Sequence, residues 1–180
     1  MKPTGLHGVM AEFNTADELV AAGRRAYAEG FRKMDAYSPF PIEALDEAIG
    51  IPHTILPWLV FFGGLFGGMC GYGLEYWVSA VNYPVNIGGK PFHSWPNFIP
   101  VWFETTVLGA SLTAVIGMLG LNGLPQPYHP VFNIENFVEH GQKDKFYLVV
   151  ESTDPKFKAD DVKHFMAGLT GTTNVWEVPN

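Results

Sequence analysis

Residues 54–81, TILPWLVFFGGLFGGMCGYGLEYWVSAV, are the stretch whose reading decides the fold. The run is apolar almost throughout, and residues 54–74 contain no Asp, Glu, Lys or Arg. At about 1.5 Å per residue, roughly 20 residues cross a hydrocarbon core of about 30 Å, so this segment spans a bilayer with length to spare. A second run, residues 99–123, does the same, and residues 105–134 again lack any charged side chain. Two such helices would make an outsized core for a soluble protein of 180 residues. The expected architecture is therefore a membrane α-helical hairpin of two transmembrane helices.

Moving outward, the connector 82–98 carries a single basic residue, Lys90. The other Lys and Arg residues lie in the flanking ends, among them Arg24, Arg25, Arg32 and Lys33 before the first span and Lys143 and Lys145 after the second. The positive-inside rule then assigns both termini to the cytoplasm and the connector to the periplasm. Tyr76, Trp77 and Tyr83, with Trp95 and Trp102 opposite, read as an aromatic interface belt. Gly63, Gly64, Gly67, Gly68 and Gly71 form overlapping small-xxx-small pairs, which let a neighbouring backbone approach closely. So many pairs on one span suggest more than one helix partner. Gly109, Ala110, Thr113, Ala114 and Gly117 make a weaker series on the second span.

Each soluble end reads as strand, helix, strand. Residues 8–13 are β-like. Thr15 then caps a helix, with Glu18 completing a capping box and Gly30 stopping it. Residues 31–37 form a second strand and residues 42–49 a short helix. After the second span, 134–140 suggest a helical turn. KFYLVVES (145–152) is the clearest strand, Val162, Phe165, Met166 and Leu169 fall at helical spacing, and 173–178 close as a strand. The expected divisions are 1–53 and 124–180 as the halves of one small α+β, ferredoxin-like cytoplasmic domain, 54–81 and 99–123 as the membrane helices, and 82–98 as the periplasmic loop.

A net charge of −7 without a basic cluster argues against nucleic acid. Cys70 is the sole cysteine, which excludes an intrachain disulfide, a Cys-rich cluster site and a CxxCH haem attachment, and it reads as a packed membrane thiol. Residues 1–13 lack the basic-then-apolar pattern of a secretory signal. Within the spans the ionisable side chains are Glu75 and Glu104, expected at comparable depth near the outer surface. Intramembrane carboxylates are candidates for proton relay or quinol contact, or else bond a neighbouring helix. No histidine lies inside a span to ligate haem, and none shows metal-ligand spacing. His93 and Trp95 in the connector are candidates for contact with a partner.

Five segments carry a resemblance: MDAYSPFPIEALDEAIGI (34–51), GGLFGGMCGYGLEYW (63–77), NYPVNIGGKPFHSWPNFIPVWFE (82–104), NGLPQPYHPVFN (122–133) and STDPKF (152–157). They resemble the ActD subunit of alternative complex III, a bacterial quinol:electron-acceptor oxidoreductase. The resemblance implies a two-span subunit of the bacterial inner membrane with no cofactor of its own. It implies partners comprising a multihaem cytochrome c, an iron–sulfur subunit, two large quinol-site membrane subunits and a monohaem cytochrome. Haem c, iron–sulfur clusters and menaquinol or another quinol would then belong to those partners. The leading functional expectation is a subunit that scaffolds this complex and does no chemistry by itself. The alternatives are direct proton or quinol handling through Glu75 and Glu104, and an independent membrane module.

Overall fold

The computed structural model describes residues 5–141 and 143–180. The chain forms two compact units. One comprises Met1–Pro52 and Pro127–Asn180, the other His53–Gln126.

The first unit is a four-stranded antiparallel sheet of β1 (Leu6–Phe13), β2 (Met34–Tyr37), β3 (Phe146–Glu151) and β4 (Asn174–Pro179), in the order β2-β3-β1-β4. Helices α1 (Ala16–Glu29) and α6 (Ala159–Ala167) follow β1 and β3, giving the βαββαβ order of a ferredoxin-like domain. In such a domain the adjacent antiparallel strands β2 and β3 need only a tight turn. Here residues 38–145 replace that turn, so the long hairpin enters the chain at a strand-to-strand connection.

Thr15 caps α1 as expected: its hydroxyl accepts from the Glu18 N–H at 3.3 Å, and the Glu18 carboxylate accepts from the Thr15 N–H at 3.0 Å. Gly30 ends the helix at φ 104°, a left-handed conformation that glycine adopts without Cβ strain. β2 is shorter than the expected 31–37. The N–H groups of Arg32 and Lys33 donate at 2.7 and 2.9 Å to the buried Asp154 carboxylate, and these bonds replace ladder pairing at that edge. Leu169 falls just beyond α6 but still packs in the core.

Both faces of the sheet are covered. Val9, Ala11, Phe13, Leu148 and Val150 pack with Leu19, Ala22, Val162 and Met166 of α1 and α6, joined by Leu45 and Ile49 of α2 (Glu43–Ile49). On the opposite face Met10, Tyr147, Val149 and Val178 are roofed by Val131, Ile134 and Phe137, from the 3-10 turn Pro130–Asn133 and α5 (Glu135–His140). Residues 9–11 of β1 and 146–150 of β3 therefore read as unbroken apolar runs, because consecutive side chains enter different cores. Each fully buried Val, Leu or Phe contributes about 1.5–3 kcal/mol relative to exposure. Besides Asp154, a second carboxylate is enclosed: Glu12 is 2 % exposed and pairs with Lys145 at 3.3 Å, while Asn174 donates to it at 3.3 Å.

The second unit is a hairpin of α3 (Leu56–Tyr76), prolonged by a π-helical turn over Trp77–Asn82, and α4 (Trp95–Leu121). Leu56–Asn82 and Trp95–Leu121 are each long and apolar enough to cross a membrane. α4 begins four residues before the expected boundary at 99, so Trp95 belongs to its first turn and not to the loop. The start signal is Ser94-Trp95-Pro96-Asn97: Ser94 stands at the N-cap and its carbonyl accepts from the Asn97 N–H at 2.9 Å. Proline is tolerated in a first turn, where its missing N–H would lack a helical partner anyway.

Candidate functional site

The glycines of α3 are occupied within the hairpin itself. Gly64 faces Ala110 and Thr106, Gly67 faces Thr105 and Gly109, Gly68 lies under Trp102 and Thr106, and Gly63 and Gly71 meet Thr113 and Thr105. A Cβ on Gly68 would come within 2.8 Å of the Trp102 indole nitrogen. The backbones are thus as close as they are because these side chains are missing. The hydroxyls of Thr105, Thr106 and Thr113 donate to carbonyls of their own helix at 2.7–2.9 Å. This satisfies their polar groups without water, as a lipid-embedded helix requires. Within this chain the neighbour of the glycine series is α4.

At the connector end of the hairpin an aromatic cluster closes over the glycine seam. His93 folds back from the loop so that its Nε2 and the Tyr72 hydroxyl share a 2.5 Å hydrogen bond. The imidazole also meets the Tyr76 ring edge-on at 5.2 Å and lies 6.0 Å from Phe98, while Tyr72 touches Phe98 and Trp102. Beside it Met69, Tyr72, Gly73, Trp95 and Trp102 line an open, mainly apolar groove of about 470 Å³. Sequence position alone places both His93 and Trp95 in the connecting loop. In the structure the first is clasped by α3 and the second is part of α4.

The two carboxylates of the long apolar helices, Glu75 and Glu104, are not brought together. Glu75 follows Gly71 by four residues, so it continues the face that α3 turns toward α4. Its Oε2 is enclosed and has no hydrogen-bond partner among the described residues. Glu104 is exposed, and at 3.6 residues per turn it lies nearly opposite the α4 face formed by Trp102, Thr105, Gly109 and Thr113. Depth differs as well. Since Gly71 meets Thr105, Glu104 is level with Gly71–Tyr72, about one helical turn from Glu75. Cys70 is a free thiol exposed on α3.

In the other unit the fold assembles a titratable cluster that spacing alone did not reveal. The rings of His7 and His129 meet edge-on at 5.1 Å, and His129 lies 6.4 Å from Tyr37. Asp35 and Glu151 belong to the same group. Burial, then the neighbouring Glu151 carboxylate, raises the Asp35 pKa above its ordinary value. Burial, then His129, lowers that of His7, whose Nε2 is enclosed without a hydrogen-bond partner among the described residues. Sequence separation hid the group, because His7, Asp35, His129 and Glu151 come from four different segments. Among the described residues no three His, Cys, Asp or Glu side chains are placed to hold a metal ion.

Comparison with known proteins gives one family. The family model described as "Alternative complex III, ActD subunit" matches residues 7–175, nearly the whole chain. No curated protein sequence matched. The chain belongs to the ActD family: it is a subunit of alternative complex III, a quinol-oxidising membrane complex, and other subunits of that complex are its partners.

Proposed function

We propose that this ActD subunit is a structural element of its complex, holding the larger quinol-site membrane subunits with its hairpin and performing no redox step by itself. The supporting observation is how the hairpin uses its surface. Glycines and threonines are spent on closing α3 against α4, and the large apolar side chains, such as Trp58, Phe66, Phe103 and Ile116, are left exposed on the outside. A two-helix hairpin with so broad an apolar exterior suits burial among other helices or lipid. In this reading both soluble halves, 1–53 and 124–180, are cytoplasmic and the connector is periplasmic. Haem c and iron–sulfur clusters reside in partner subunits, the multihaem cytochrome c and the iron–sulfur protein, and menaquinol or another quinol is oxidised there.

The alternative, proton or quinol handling by Glu75 and Glu104, draws on the enclosed Glu75 Oε2. The separation of the two carboxylates counts against a shared site. One experiment distinguishes the readings. Glu75→Gln is expected to leave both subunit composition and quinol turnover unchanged, whereas deleting the subunit is expected to release membrane partners from the purified complex. A fall in turnover with Glu75→Gln in a complex of full composition would transfer the function to proton handling. Full assembly without the subunit would end the scaffold reading.

A further inference from the structure

We propose that His7, Asp35, His129 and Glu151 form a pH-sensitive clasp at the β2 edge of the sheet, closed while the two carboxyls hold one proton between them and loosened when that proton leaves. The clasp lies within the sheet unit and is independent of the scaffold reading. Backbone register builds it. Asp35 is paired with Val149, so Asp35 and Glu151 project from the same face at diagonal positions on neighbouring strands. Tyr37 and Val149, on that face, pack with the roof formed by Val131, Ile134 and Phe137. His7 has the parity of Val9, Ala11 and Phe13, which enter the helix-covered core, and on a regular strand it would face their way. The β1–β4 register shifts between Leu6 and Gly8, an irregularity of the kind that re-aims a side chain. The His7 ring accordingly meets that of His129, at the N-cap of the Pro130–Asn133 turn, at 5.1 Å.

The Asp35 and Glu151 carboxyls share a hydrogen bond. Ionised carboxylates only accept, so one of the two carries a proton. Glu151 Oε2 also accepts from the Thr153 hydroxyl at 2.7 Å, which favours the proton on Asp35. Among the described residues neither carboxyl is paired with a Lys or Arg. The titratable groups that face the pair are His129, His7 and Tyr37. Burial, then Glu151, raises the Asp35 pKa, with His129 acting against them. Burial, then His129, lowers that of His7, so His7 supplies no cation as pH rises. Burial, then Asp35 and Glu151, raises that of Tyr37, which stays a neutral phenol. Once the shared proton leaves, two like charges therefore face each other across adjacent strands. β2 has four residues and a single neighbouring strand, so it is the element that gives way, drawing Tyr37 from the Phe137 ring that it meets at 5.2 Å. β2 is also the last strand before the chain leaves for the hairpin, and His129 stands early in the chain that returns.

The test is amide hydrogen exchange on the purified complex, from about pH 5 to about pH 9, with the rate of residues 34–37 referred to that of residues 9–13 in the central strand β1. The ratio cancels the dependence of intrinsic exchange on pH. In the wild type it is expected to rise about threefold or more across the series. Asp35→Asn and Glu151→Gln are each expected to abolish that rise, and the double variant to add nothing further. A wild-type ratio that does not change with pH overturns the proposal, and this arm needs no variant to fold. So does a rise that survives either substitution, because a shared proton needs both carboxyls.

Discussion

Replacing Gly67 with alanine adds one carbon atom where the backbones of the two helices approach most closely. That Cβ would collide with the Thr105 carbonyl oxygen and lie 3.1 Å from the Gly109 Cα and 3.3 Å from the Thr105 carbonyl carbon. These neighbours are backbone and cannot rotate away, so the helices must separate by something near 1 Å. A gap of about 0.5–1 Å forfeits a quarter to a half of each contact, and each carbon pair is worth only about 0.1–0.2 kcal/mol. Over the few tens of pairs along such a seam the loss is about 1–3 kcal/mol, in line with overpacking of other well-filled interiors. Alanine regains at most about 1 kcal/mol through helix propensity. The net expectation is destabilisation by roughly 1–2 kcal/mol. Gly73, on the same helix, has nothing within 4 Å, so Gly73→Ala is expected to be neutral or slightly stabilising. Titrating the purified complex with denaturing detergent and following release of this subunit would compare the two. Equal midpoints for Gly67→Ala and Gly73→Ala would refute the close-packed seam.

Further expectations follow from single contacts. In a Cys70→Ser background, cysteines at positions 64 and 110 should oxidise to an intrachain disulfide, because a Cβ on Gly64 lies 3.3 Å from that of Ala110, near the roughly 3.5–4.5 Å that a disulfide needs. A cysteine at position 73 in place of 64 should give none, and gel mobility after cleavage of an engineered protease site in the connector reads the difference. Asp154 feels burial, which raises its pKa, but the N–H groups of Arg32, Lys33 and Lys156 and the Arg32 charge outweigh it and hold the carboxyl below 3.8. Asp154→Ala should therefore cost about 2–3 kcal/mol at neutral pH by orphaning buried donors. The electrostatic part of that stabilisation is present above pH 3.8 and is lost as pH falls through the lower folded value. Asp35 has the opposite sign. Its folded pKa is raised, so its ionisation destabilises the fold increasingly as pH rises from 3.8 through the folded value. Asp35→Asn should accordingly raise the melting temperature at pH 8 and bring no gain below pH 3.8, and a thermal series across pH that shows no such dependence would remove the repulsion argument.

Some of this was open to reading because it is local. Hydrophobic length, glycine spacing, the Thr15 capping box and the Gly30 stop all act within a few residues, and they are where the sequence places them. α4 starts earlier than hydropathy alone places it, because Trp95 and Pro96 resemble a loop until Ser94 is recognised as the N-cap. The shortening of β2 had no local signal, since its cause is Asp154, far along the chain.

The sequence alone determined that two helices are long and apolar enough to cross a membrane, that small residues line one face of the first, and that a βαββαβ order surrounds them. Those properties follow from transfer free energy, helical period and backbone propensity. Only the tertiary structure decided what covers each face: that the glycine face closes on α4, that Glu75 points toward the seam while Glu104 points away, that residues 130–140 roof the second side of the sheet, and that His7 meets His129. Periodicity specifies a surface but not its neighbour. The neighbour is selected by packing between segments far apart in the chain, and there a single missing methyl group decides how closely two helices approach.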